Sequence, residues 1–211
     1  FVDFLHAIKP RTILISIMSA NNELGTIQNI KAISQTAHEK DIIFHTDAVQ
    51  AFGHIPINVD EMNIDLLSAS AHKLNGPKGV GLLYIRTGIR ISSLIHGGSQ
   101  ERGQRAGTTN AAGIIGFGKA VEIANERLNE TREYETKLRN RLVDRVTSEI
   151  PYVKYNGDPE RRLSNNANFS FRFIEGESLL IMLDQTGICG AGKESQAACS
   201  DRKPQREPKK P

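Results

Sequence analysis

The stretch Ile64-Asp65-Leu66-Leu67-Ser68-Ala69-Ser70-Ala71-His72-Lys73-Leu74-Asn75-Gly76-Pro77-Lys78-Gly79 decides how this chain folds. It opens as a short apolar strand, Ile64 to Ser68. It then runs into hydroxyls, a histidine and one lysine. A glycine-proline loop turns the chain at once. Earlier, Ile42-Ile43-Phe44-His45-Thr46 forms a second apolar strand that ends on Asp47 in the same manner.

Working outward, strands alternate with helices, which is the pattern of an α/β layer with a mainly parallel sheet. Thr12 to Met18 reads as a buried strand, followed by the polar turn Asn21-Asn22-Glu23-Leu24-Gly25. Ile30, Ile33 and Ala37 fall on one face of a helix from about Ile30 to Lys40. Gly79 to Arg86 reads as a strand antiparallel to its neighbour, because its link is too short for a crossover. From Asn110 to Ile150 the spacing predicts one long helix, with Ile114, Phe117, Val121, Ala124 and Leu128 continued by Leu138, Leu142 and Val146. Gly116 and Gly118 weaken its start. Beyond Pro151 a small α+β unit follows. It has strands at Tyr152–Tyr155 and Asn168–Phe173 and a helix from Ser178 to Leu183. We expect part of a large domain over 1–125, an incomplete small domain over 126–190, and a divergent, disordered tail over 191–211.

Bulk properties narrow the class. The 211 residues are 38 % hydrophobic and 24 % charged, as suits a globular core. No apolar run is long enough for a transmembrane helix, and the N-terminus lacks the pattern of a signal peptide. The first residue is Phe1, so we expect a chain that starts mid-protein. The net charge of +3 resides in the lysine- and arginine-rich end, Asp201 to Pro211. The remaining body has no basic stripe, which argues against direct nucleic-acid binding. Cys189 and Cys199 make no disulfide framework and fit a reducing, cytoplasmic compartment. No metal-ligand set is expected.

The chemistry lies at the strand ends. A lysine amine and a carboxylate at adjacent strand ends form the pair that pyridoxal 5'-phosphate (PLP) uses. The amine bonds the aldehyde, and the carboxylate keeps the ring nitrogen protonated. Lys73 and Asp47 are the candidates for that pair, the plain alternatives being a surface lysine and a helix-capping or turn-forming aspartate. Gln50 is placed to reach the ring's phenolic oxygen. Ser70 and His72 offer donors to a phosphate. The loop His96 to Thr109, rich in glycine, precedes a helix whose N-terminus suits an anion.

In order along the chain, SANNELGTIQ, FHTDAVQAFG, SASAHKLNGPKGVG, HGGSQERGQRAGTTN, NFSFRF and EGESLLIML closely resemble the cysteine desulfurases, class V enzymes of PLP fold type I. The resemblance spans about Thr12 to Cys189. It implies that Lys73 holds PLP and moves the substrate's protons, and that Asp47 pairs with the pyridine nitrogen. It further implies that Asn22 and Gln50 bond the phenolic oxygen, and that Ser70 and His72 hold the phosphate. Thr108 would reach the cofactor of a second subunit in a homodimer. The implied reaction converts L-cysteine to L-alanine and leaves a persulfide on an enzyme cysteine. An iron-sulfur scaffold or a tRNA-thiolation acceptor then takes the sulfur. Gly187-Ile188-Cys189 matches the strand before the family's cysteine loop, and Cys199 is the counterpart of its nucleophile, at a longer spacing than usual.

The sequence also departs from the family. The N-terminal glycine-threonine phosphate loop and ring-stacking histidine have no counterpart, and neither does the later arginine that binds the substrate carboxylate. The alternatives are a selenocysteine lyase or other class V lyase or aminotransferase, or an inactive fragment with a dimerisation or scaffold role.

Overall fold

The computed structural model describes residues 2–192, so the tail over 193–211, with Cys199, lies outside the described residues. After a short helix α1 (Val2–Ala7), a four-stranded sheet forms the main layer, in the order β1 (Leu14–Met18), β2 (Ile43–Asp47), β3 (Leu66–Ser70) and β4 (Gly81–Ile85). The first three strands are parallel, and β4 is antiparallel to β3. The tight link after Lys73 enforces that reversal.

The alternation of burial explains the sheet's two faces. Phe44 and Thr46 are fully buried, while Ile43, His45 and Asp47 are half-buried. Ile15, Phe44, Leu67 and Ala69 share one face and pack against Ile30, Ile33 and Ala37 of helix α2 (Ile30–His38). Their three- and four-residue spacing sets that apolar stripe against the sheet. Asn29 caps the helix, its side chain accepting from Ala32 N at 3.3 Å. Helix α3 (Ala111–Glu126) joins the same core through Phe117, with Ala120, Val121 and Ala124 beside it.

Asp65 is the polar anchor of this layer. It is 5 % exposed, accepts from Phe44 N at 2.9 Å and from His38 Nε2 at 2.7 Å, and forms an ion pair with Arg86 Nε at 3.3 Å. Arg86 also donates to the carbonyls of Val59 and Ile64, each at 3.0 Å. One carboxylate therefore ties α2, β2 and the end of β4 together.

Helix α4 (Leu128–Glu149) packs on β5 (Val153–Tyr155), which pairs antiparallel with β6 (Phe169–Phe171); α5 (Gly176–Gln185) follows. The single helix expected over 110–150 is two helices that meet at Arg127, whose φ of −99° and ψ of 4° end α3. Leu138 and Leu142 stay about half exposed, because α4 lies on β5 and not along the main core. The strand expected at 187–189 is absent. Gly187 and Ile188 instead close the end of α5 by bonding Asp184 O and Leu183 O, and no described strand lies ready to pair with them. No helix among the described residues is long and apolar enough to cross a membrane.

Removing the carboxylate at position 65 leaves the Phe44 amide without its partner and strips Arg86 of its buried counter-charge, although the Val59 and Ile64 carbonyls still accept from it. We expect Asp65→Ala to lower unfolding free energy by about 3 kcal/mol, read as a lower urea midpoint at unchanged slope. An unchanged midpoint would show that the anchor carries no stability.

Candidate cofactor site at the strand ends

Ligands of open α/β sheets meet the carboxyl ends of the parallel strands. That edge carries Asp47 at the end of β2 and Ser70 at the end of β3. Asp47 stands in register between Met18 of β1 and Ser68 of β3. Neighbouring strands run about 4.8 Å apart, so the Asp47 and Ser68 side chains rise side by side from one face.

After Ser70 the chain makes a short 3-10 turn, Ala71–Leu74. Its two apolar residues, Ala71 and Leu74, are buried and pin it to the core. His72 and Lys73, between them, are left exposed. The turn is braced from several sides. His54 Nε2 lies 2.9 Å from the Lys73 carbonyl oxygen. Asn75 adopts the left-handed conformation, with φ of 61°. A side chain at Gly76 would meet the Ala71 carbonyl at 2.8 Å, and one at Gly116 would meet Pro77 Cγ at 2.7 Å. Gly116 therefore lets α3 press directly on the lysine loop, a role hidden behind its poor helix propensity. His54 is the other brace the sequence did not reveal, since it acts through a backbone carbonyl.

The site's functional atoms have bonding capacity to spare. Asp47 Oδ1 accepts from Val49 N at 2.9 Å. Among the described residues, no hydrogen bond or ion pair reaches Asp47 Oδ2, Lys73 Nζ or the side-chain amides of Asn22 and Gln50. Ser70 Oγ and His72 Nδ1 lie 2.8 Å apart, so the two phosphate candidates are already held together. Gln50 lies in the helical turn after β2, between the buried Ala48 and Ala51. Asn22 lies exposed in the turn after β1. Thr108 is exposed in the loop before α3, and no hydrogen bond joins it to the strand-end set. The α3 N-terminus is closed by its own cap, Asn110 Oδ1 accepting from Gly113 N at 3.0 Å. Cys199 lies outside the described residues. Cys189 is a free, exposed thiol.

Taken as a donor set, this edge fits PLP. It offers an amine for an aldehyde, a carboxylate for a protonated ring nitrogen, and a hydroxyl with an imidazole for a phosphate.

His45 stands two residues before Asp47 on the same face, 2.7 Å from Ser16 Oγ by Nδ1. Burial pushes its pKa down, and the nearby Asp47 carboxylate offsets part of that. The unfolded chain thus takes up this proton at a higher pH than the folded one. The stabilising contribution is present above about pH 6.5 and is lost as pH falls. We expect urea midpoints to decline on acidification through this range, and His45→Gln to flatten the decline. An equally steep decline in the variant would rule His45 out as the source.

The aminotransferase class-V family model matches residues 2–200. The cysteine desulfurase IscS of Clostridium botulinum (strain Hall) is 56 % identical over 200 residues, covering 94 % of this chain and 50 % of the relative. The cysteine desulfurase IscS of Methanosarcina thermophila is 56 % identical over 183 residues, covering 87 % and 45 %. Among solved structures, a NifS-like protein superposes with a TM-score of 0.86 at 40 % identity, over 91 % of this chain and 53 % of that one. SspA in complex with cysteine superposes with a TM-score of 0.71 at 37 % identity, over 94 % and 55 %. The chain spans about half the length of the curated relatives it matches.

Proposed function

The chain belongs to the aminotransferase class-V family, and from that premise we propose that it carries part of the active site of a PLP-dependent cysteine desulfurase. The observation that bears most weight is the strand-end pair. Asp47 and the Ser70–Lys73 segment leave adjacent parallel strands at one edge, with Asp47 Oδ2 and Lys73 Nζ unengaged among the described residues. The relatives' names supply the reaction class.

PLP, when bound, supplies an electron sink for the substrate's Cα–H and Cβ–S chemistry. In this reading the chain's own residues do the rest. Lys73 bonds the aldehyde and moves the proton at the substrate's Cα. Asp47 keeps the ring nitrogen protonated through a charge-assisted bond worth about 1.5–3 kcal/mol. Gln50 and Asn22 hold the phenolic oxygen, and Ser70 with His72 holds the phosphate. Thr108 reaches the cofactor of a second copy in a homodimer. The Cys199 thiolate takes the sulfur of L-cysteine. The C–S bond breaks, an S–S bond forms on Cys199, and L-alanine leaves with the proton it needs. An acceptor protein, such as an iron-sulfur scaffold, then collects the sulfur in a reducing cytoplasm. We place the boundary of the large domain at 125 and that of the small one at 126. The helix break at Arg127 supports that division.

Two measurements test this reading. The chain is incubated with PLP, reduced with borohydride and mapped by mass spectrometry. We expect the added mass on Lys73, and its loss in Lys73→Ala. Label on other lysines in equal measure would refute the assignment. Offered L-cysteine, the loaded protein is expected to carry a persulfide on Cys199, abolished in Cys199→Ser and retained in Cys189→Ser. The reverse result would move the nucleophile to position 189.

A further inference from the structure

The turn that carries Asn22 is closed from within by Asn21. Its Oδ1 accepts from Glu23 N at 2.9 Å and Leu24 N at 2.7 Å, and Gly25 N donates to Asn21 O at 3.0 Å. These bonds leave the carbonyls of Glu23 and Gly25 facing outward. Both are taken by a distant segment. Asn166 and Asn168, 143 and 145 residues further along, donate their side-chain amides to Glu23 O at 3.0 and 3.1 Å. Leu163 N donates to Gly25 O at 2.9 Å, and Ile27 N donates to Arg161 O at 2.8 Å. Asp158 N donates to Thr26 Oγ1 at 3.1 Å.

Arg162 shapes that gripping segment. It is 5 % exposed, and no described carboxylate pairs with it. A buried guanidinium is costly unless its N–H groups find acceptors. Here Nε donates to Asp158 O at 3.0 Å, Nη2 donates to Asn156 O, and the group lies 4.0 Å over the Tyr155 ring, while Nη1 is buried without a hydrogen-bond partner among the described residues. The loop from 156 to 162 is thus bent around one side chain, with Thr26 and Arg162 forming a β-bridge. The fit is close. A side chain at Gly25 would meet Asn166 Oδ1 at 2.6 Å, and one at Gly157 would meet Leu24 O at 2.6 Å.

We propose that Arg162 is a positioning residue for Asn22. By shaping residues 156–168 it fixes the conformation of turn 21–25, and it mechanically links the β5–β6 unit to the ligand edge of the main sheet. Its functional meaning rests on the reading of Asn22 as a cofactor-binding residue.

The test uses Arg162→Met and the milder Asn168→Ala in the 211-residue chain. Hydrogen exchange of the backbone amides is read first, without cofactor. The proposal expects the amides of Leu24, Gly25 and Ile27 to exchange about tenfold faster or more in Arg162→Met, and less so in Asn168→Ala, while β1 to β3 keep their protection. Unchanged exchange in the turn, or loss of protection in all elements together, overturns it. The second readout is the pH midpoint of the visible band of PLP bound at Lys73. Arg162→Met is expected to shift it in the same direction as Asn22→Ala, with no further shift in the double variant. An unmoved or additive midpoint overturns the positioning role. Failure of the unaltered chain to attach PLP at Lys73 counts against the cofactor reading alone, since the exchange result decides the clasp.

Discussion

Register along β2 is the constraint on which the rest of this structure depends. Thr46 is fully buried, with its Oγ1 2.9 Å from Ile17 O and 2.7 Å from Ser19 Oγ. Phe44, two residues earlier, fills the core from the same face. Side chains alternate with period two, so a slip of one residue would exchange the two faces of the strand. Asp47 would then point into the α2 packing layer and Thr46 toward the ligand edge. The bonds Ser19 N to Asp47 O (2.8 Å) and Ala48 N to Ser68 O (2.9 Å) lock the setting from both neighbours. The carboxylate is therefore placed by the packing of residues that have no chemistry of their own.

The lysine is placed differently, by small residues. Its turn has little regular structure to hold it, so stiffness must come from close approach. Ala71 and Leu74 sit in the core, Gly76 nestles on Ala71 and Ala120, and Gly116 admits Pro77. The contacts at Gly76 and Gly116 each need a missing side chain. The cost is a glycine inside α3, which lowers helix stability by about 1 kcal/mol relative to alanine. The close contact with the lysine loop that this glycine allows is the compensation, as expected where local propensity and global fold disagree.

Much of the layer was legible beforehand. The strands ending at Asp47 and Ser68–Ser70 stand out as apolar runs cut off by polar residues. The reversal into β4 follows from a link too short for anything else. The break within 110–150 leaves no mark in the sequence, because the apolar stripe runs from Ile114 to Val146 with no glycine or proline near Arg127. The break there depends on which body each half packs against, and that is a tertiary fact. Gly187 to Cys189 has the composition of a strand but no neighbour to pair with among the described residues. Arg162 was illegible for a related reason. In the run Glu160-Arg161-Arg162 it looks like a solvated charge, and its neighbour Arg161 does pair at the surface with Asp158. Burial of one arginine and not the other is decided by the turn at 21–25, far away in sequence.

The two faces of the sheet make different physical demands. One face is a closed apolar layer under α2 and α3. The other presents Leu14 and Leu83, each 48 % exposed, at its flanks, and Ser16, His45, Asp47 and Ser68 toward its middle. Such an arrangement costs little where the polar middle is wet or liganded, because each group keeps a partner. It would cost much under an apolar lid, where His45 must stay neutral and Asp47 must keep its charge beside it. The lowered pKa of His45 already registers the first part of that demand. In the proposed reading, a cationic ring nitrogen held at Asp47 would answer the second, because it would neutralise a half-buried carboxylate.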